Sequence, residues 1–266
     1  MTTGIQEVNT GVRKAGQFCW FNMLTSDSAD AREFYATLLG WTYEELPGVG
    51  HIVVVAGNPV GGVWDINSPQ TPPGTKPYIG VTIKVESADA AADKVKSLGG
   101  DAKPPFDVME AGRMAVCYDP TGVEFDVWQG KSSPGMSGDA RKHGMPSWIE
   151  CATTDAEKGK QFYDGLFGWT DETMPMPTGM NYTTFKLGEE YVAGMYQLTP
   201  DMAGMKPAWS VYFSVDKVDE TVDLAKSLGG QNFMPAIDIP HVGRIAGISS
   251  PQGVMFYAIT NAPMQQ

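Results

Sequence analysis

WFNMLTSDSADAREFYATLLGW, residues 20–41, returns as WIECATTDAEKGKQFYDGLFGW at residues 148–169, 128 positions further along the chain. The echo continues downstream. VKSLGG at 95–100 returns as AKSLGG at 225–230, and DVMEAGRMAVCYDPTGVEF at 107–125 returns as DIPHVGRIAGISSPQGVMF at 238–256. A period of roughly 130 residues is too long for a solenoid unit and matches tandem copies of one globular domain. The 266 residues divide into a first module at 14–130, a linker at 131–145 and a second module at 146–262.

Each module divides again into two pieces with the same order of elements. In the first piece a strand is expected at 18–24, then a helix capped at 26–28 with Ala31, Phe34, Tyr35 and Leu38 at helical spacing. Gly40 closes that helix, and three short strands follow, beginning at Trp41 and then at 52–56 and 60–66. The second piece repeats this with a strand at 78–85, a helix at 88–98 capped by Ser87, and strands at 102–108, 113–118 and 123–128. Asp119-Pro120-Thr121-Gly122 is a β-turn signature between the last two. The second module reads alike, with helices at 156–167 and 218–228. The fold class is therefore α+β: four βαβββ units forming two tandem, cupped, mixed-sheet modules.

Composition narrows the function. A net charge of −12 argues against nucleic acid, because phosphate binding needs clustered Lys and Arg, and against anionic membrane surfaces. No apolar run approaches the roughly 20 residues of a spanning helix, and residues 1–15 lack the apolar core of a signal peptide, so the expected compartment is the cytoplasm. Cys19, Cys117 and Cys151 each lie in an apolar strand segment and read as buried small hydrophobes.

The pattern resembles the vicinal-oxygen-chelate superfamily, which includes glyoxalase I, extradiol dioxygenases and the fosfomycin and bleomycin resistance proteins. The residues carrying the likeness are Asp27, Phe34-Tyr35, Leu39-Gly40-Trp41 and Asp119-Pro120-x-Gly122, repeated as Asp155, Phe162-Tyr163, Phe167-Gly168-Trp169 and Ser250-Pro251-x-Gly253. The resemblance implies a divalent metal on the cup floor, held by His, Glu or Gln from three strands. Spacing from Phe34, Gly99 and the turn puts those positions on Trp20, Gly80 and Asp126, and in the second module on Trp148, Ser210 and Tyr257. A single carboxylate does not hold a metal. Asn22 and Glu150 share strand parity with the two tryptophans and could add one oxygen each, enough for a weak hard-cation site at best. His51, His143 and His241 fall in hairpin or linker regions, so the expectation is no metal and no cofactor. The family's modules pair across a shared interface, which implies either a homodimer or pairing within this chain.

Tryptophan in place of the first ligand gives each cup a flat apolar surface with one N–H donor, suited to stacking a ring. Alternation places Glu124, Asp126 and Trp128 on one face, matched by Met255, Tyr257 and Ile259, and puts Trp64 and Tyr196 at comparable positions on the fourth strands. Loop methionines 174, 176, 180, 202 and 205 could mould to apolar ligands or merely cover hydrophobic edges. Asp107 with Arg113, and Asp238 with Arg244, share the spacing D-x-x-x-x-G-R; they read either as a cross-strand clamp or as an arginine gripping a carboxylate or enolate.

Two function classes follow. One is a metal-free binder of a small hydrophobic or aromatic molecule, using Trp20, Asn22, Trp64, Arg113, Trp128, Trp148, Tyr196 and Tyr257. The other is a glyoxalase-like lyase, isomerase or dioxygenase-family enzyme acting on a small carbonyl, with Glu150 or Asp126 as base and Arg244 as electrostatic partner. A third reading, an interaction protein, follows if both cups are filled by their own side chains.

Overall fold

Asp27 opens the first helix: its carboxylate accepts from the backbone N–H groups of Ala29 and Asp30, donors that the helix start leaves unpaired. Gly40 closes it in the left-handed region at φ 67°, where a Cβ would be strained. The computed structural model describes residues 11–263 apart from 70, 177, 178 and 203; most of the segment read for a leader, residues 1–10, lies outside them. The first module runs β1 (Phe18–Thr25), α1 (Ser28–Leu39), β2 (Thr42–Leu46), β3 (Gly50–Val55), β4 (Asn58–Asp65), β5 (Tyr78–Lys84), α2 (Ala88–Ser97), β6 (Asp101–Ala102), β7 (Phe106–Val108), β8 (Gly112–Tyr118) and β9 (Glu124–Gly130). The second runs β10 (Pro146–Thr153), α3 (Ala156–Phe167), β11 (Thr170–Pro175), β12 (Asn181–Leu187), β13 (Glu190–Gln197), β14 (Ala208–Ser214), α4 (Val218–Ser227), β15 (Gln231–Ile239), β16 (Gly243–Ser249) and β17 (Met255–Asn261).

Each module makes one mixed sheet. The orders are β2-β3-β4-β1-β5-β9-β8-β6, with β7 also on β8, and β11-β12-β13-β10-β14-β17-β16-β15. The strand expected at 102–108 is broken in two, because Pro104 and Pro105 have no N–H to give the ladder. Its counterpart β15 runs through Pro235 with a shift of register across it and another just before Met234.

Alternation sorts the residues of the opening strand. Phe21 and Met23 are buried, while Trp20, Asn22 and Leu24 on the other face are half-buried. The buried faces of the two sheets meet in one core. Phe21 packs edge-on to Phe213 at 5.3 Å between ring centroids, Phe125 meets Tyr163 at 5.7 Å, and Tyr35 meets Phe256 at 5.5 Å. Polar ties cross the same boundary. Tyr163 donates to the buried Asp119 carboxylate, whose other oxygen accepts from Thr121 and Val123 to hold the turn. With these faces turned inward, the two cups face away from each other.

The segment read as a linker is laid against the first module. Met136 is buried and its N–H bonds to the Cys19 carbonyl, and the Trp41 indole N–H donates to the Gly144 carbonyl. Trp169 does the same to Gly16, so each module seats its Trp on the segment that leads into the other's opening strand. All three cysteines are free and buried. No described helix is long and apolar enough to cross a membrane.

Candidate functional site

The first cup is built across β1, β5 and β9. Register sets Trp20 beside Thr82 and Thr82 beside Asp126, while Asn22 stands between Gly62 and Gly80. Thr82, and not Gly80, therefore occupies the middle of the row that the family resemblance assigned to metal ligands, while Gly80 lies beside Asn22 on the same face.

One chain of donors runs across this floor. The Trp64 indole N–H donates to Asn22 Oδ1 at 2.9 Å, and Asn22 Nδ2 donates to Asp126 Oδ2 at 3.1 Å and to Thr82 Oγ1 at 3.3 Å. Trp64 can lie flat because glycines lie beneath it: a Cβ at Gly62 would come within 2.2 Å of the ring and one at Gly50 within 2.3 Å. Trp128 lies over Gly112 in the same way and donates to the Ser133 carbonyl. The N–H of Trp20 has no partner among the described residues. Trp20, Asn22, Trp64 and Trp128 are all half-buried, so the cup keeps an accessible aromatic wall.

Asp126 at its base is only 8% exposed. Burial pushes its carboxyl up to about 7, Glu124 on the same face adds to the rise, and Asn22 and Thr82 hydrogen bonds partly offset it. Glu124 in turn accepts from the Tyr78 hydroxyl at 3.0 Å.

The second cup is filled differently. Glu150, 9% exposed, stands where the first cup has Asn22, and both of its oxygens accept phenols: Tyr182 at 2.7 Å and Tyr212 at 2.9 Å. Trp148 donates to the Tyr182 oxygen at 3.2 Å, which turns the Tyr182 proton toward Glu150. Tyr212 stacks on Tyr257 at 4.6 Å. Tyr196, Tyr212 and Tyr257 are buried, so this cup is occupied largely by its own rings. Burial raises the Glu150 carboxyl, against the two phenolic hydrogen bonds.

Arg113 and Arg244 belong to neither cup, which corrects their assignment as ligand-gripping residues. Arg113 stands opposite Gln129, whose Oε1 accepts from the Ala88 N–H at the start of α2, so both face the helix side. The cross-strand pairing of Asp107 with Arg113 and of Asp238 with Arg244 is present. The two-pronged contact, however, goes to a helix aspartate: Arg113 to Asp89 at 2.8 and 2.9 Å, and Arg244 to Asp219 at the same distances. Both arginines pin the first turn of a helix to its sheet. The sequence carried the signal, since Asp89 and Asp219 also recur between the modules, but sheet-face parity was needed to read it.

Thr82, Tyr182 and Tyr212 were not singled out from the sequence, although Tyr212 shares a row with Trp148 and Tyr257. Of the methionines read as loop residues, Met174 lies in β11 opposite Tyr182, on the same face of the sheet.

Two stretches of the chain, 17–127 and 146–256, match the model of the Glyoxalase/Bleomycin resistance protein/Dioxygenase superfamily. The chain belongs to this superfamily. Relatives of this glyoxalase-type chain include the protein named "Putative glyoxylase CFP32" of Mycobacterium tuberculosis, 35% identical over 252 residues that cover 92% of this chain and 95% of the relative. The anthracycline biosynthesis protein DnrV of Streptomyces peucetius is 33% identical over 125 residues, covering 42% of this chain and 46% of the relative. Among solved structures, the Mn(II)-bound glyoxalase from Novosphingobium aromaticivorans aligns with a TM-score of 0.65 at 13% identity, over 95% of this chain and 86% of that one. The 2,2',3-trihydroxybiphenyl 1,2-dioxygenase from Sphingomonas wittichii strain RW1 aligns with a TM-score of 0.67 at 13% identity, covering 93% and 91%. At that identity the likeness speaks for the fold.

Among the described residues no three His, Cys, Asp or Glu side chains come together. Asp126 is faced by the amide nitrogen of Asn22, a donor, and both Glu150 oxygens are engaged by phenols.

Proposed function

We propose that this chain is a cytoplasmic small-molecule binder that stacks a planar, largely hydrophobic molecule in the first cup, the second cup serving as a self-filled partner that stiffens the shared core. The observation that carries this reading is the contrast between the cups. Trp20, Trp64 and Trp128 are half-buried around a polar floor, whereas Tyr196, Tyr212 and Tyr257 are buried. Flat indole faces in a concave sheet favour ring ligands. The relationship to an anthracycline biosynthesis protein supports a polycyclic aromatic class. Three unpaired cysteines support a reducing compartment.

The test is a titration followed by tryptophan fluorescence, with anthraquinone and anthracene derivatives as probes. Saturable quenching, weakened in Trp20→Phe and unchanged in Tyr196→Phe, is expected. Failure of every planar aromatic probe to quench removes the proposal.

A second reading is supported by Asp126, buried beside Trp20 and Thr82 with its carboxyl near 7, which suits a general base for proton transfer on a small carbonyl substrate. Turnover of a dicarbonyl that is lost in Asp126→Asn would favour it.

A further inference from the structure

We infer that the first cup selects an organic cation: a planar aromatic molecule bearing a protonated nitrogen, which lies against the tryptophan wall and sets its charge on Asp126. This rests on the proposal that the first cup is the binding site. The argument begins with the charges facing that cup. Asp126 is 92% buried by its 8% exposure, and no ion pair reaches it among the described residues. The hydrogen bond it accepts comes from a neutral group, the Asn22 amide. Glu124 stands two residues away on the same face and is met by the Tyr78 phenol. A buried carboxylate without a counter-charge is costly, and a bound cation would remove that cost.

The cations nearby do not supply it. Lys84 Nζ donates to the Pro134 carbonyl at 2.8 Å, and Lys103 lies over the Tyr118 ring at 5.9 Å. Arg113, the residue that would have made the cup a carboxylate receptor, is turned to the helix side and held by Asp89. The wall points the same way. Indole faces attract a cation through the negative face of the ring, most strongly where water is excluded. An anionic ligand would meet the carboxylates of Asp126 and Glu124, so the arrangement also discriminates against it; Lys84, on the same face beside Trp128, is drawn off to the Pro134 carbonyl.

The second cup does not offer the same site. Its carboxylate is engaged by two phenols and overlaid by buried rings.

Three probes of one ring size separate the charge inference from the binding proposal: 9-aminoacridine as the cation, 9-anthracenemethanol as the neutral ligand and anthracene-9-carboxylate as the anion. Titrations of the full chain would be run at about pH 8.5, where a carboxyl titrating near 7 is ionised. About 0.3 M salt would suppress attraction to the net negative surface. The cation is expected to bind at least about tenfold tighter than the neutral probe, with the anion weakest. Asp126→Asn should lower the cation's affinity about tenfold relative to that of the neutral probe. Glu124→Gln should lower it by a smaller factor. Equal affinities for all three probes, or a cation affinity that both variants leave intact, would overturn the charge inference while the binding proposal stands. Absence of saturable binding by any probe would overturn both.

Discussion

Replacing Asp126 by Asn should make the protein more stable at neutral pH, and the gain should vanish in acid. The carboxyl rises from its ordinary 3.8 to about 7 in the folded state, chiefly through burial. A carboxyl whose folded pKa is raised holds its proton more tightly when folded. Its contribution is therefore fully present below about pH 4 and is lost as pH climbs through about 7. A rise of about three pH units corresponds to about 4 kcal/mol at most, since each unit is worth about 1.4 kcal/mol. Asparagine is nearly isosteric and can still accept from Asn22, so it keeps the packing and removes the titration. Urea unfolding of both proteins at pH 4, 5, 6, 7 and 8 would measure this. The stability difference in favour of Asp126→Asn should widen by roughly 1 kcal/mol per unit through this window and level off above about pH 7. A difference that stays constant across the series would refute the claim that Asp126 is a desolvated, unpaired carboxyl.

Four further outcomes follow from the geometry. Glu150→Ala leaves two buried phenols without an acceptor and should cost about 3–5 kcal/mol in urea unfolding, whereas Glu150→Gln, which can both accept and donate, should cost less. Gly62→Ala drives a methyl into the Trp64 ring and should cost about 1–3 kcal/mol while shifting tryptophan emission to the red, as the bond to Asn22 is lost. Asp119→Ala removes the acceptor shared by Thr121, Val123 and Tyr163, so a loss of about 3 kcal/mol or more is expected, with both modules still unfolding in one transition because they share one core. Arg113→Ala should leave the affinity for planar aromatic probes unchanged, since the guanidinium faces Asp89 and not the cup; a clear loss of binding would return Arg113 to the site.

The chain by itself determined the duplication, the element order, and the start and stop of each helix, because these rest on short-range chemistry. Asp27 and Ser87 are side-chain caps, Gly40 supplies a left-handed stop, and Phe34-Tyr35 and Phe162-Tyr163 lie at helical spacing. Strand parity also set Trp20, Asn22, Asp126 and Trp128 on one face, which is half of the candidate site. Tertiary structure decided what each of those residues can do. Arg113 became a helix clamp because Asp89 sits 24 positions away at the start of α2, a distance in sequence that only the α2 packing closes. Thr82 entered the floor beside Trp20 and Asp126, and Gly80 fell beside Asn22, by a pairing register that composition does not reveal. Whether a cup is open or filled turned on residues brought in from other strands. Tyr182 and Tyr212 close over Glu150 in one module, while in the other the flat seat of Trp64 on Gly50 and Gly62 leaves the wall exposed. Local propensity fixes where an element begins and ends; the charge and space a side chain meets depend on neighbours that are distant in sequence and adjacent only after folding.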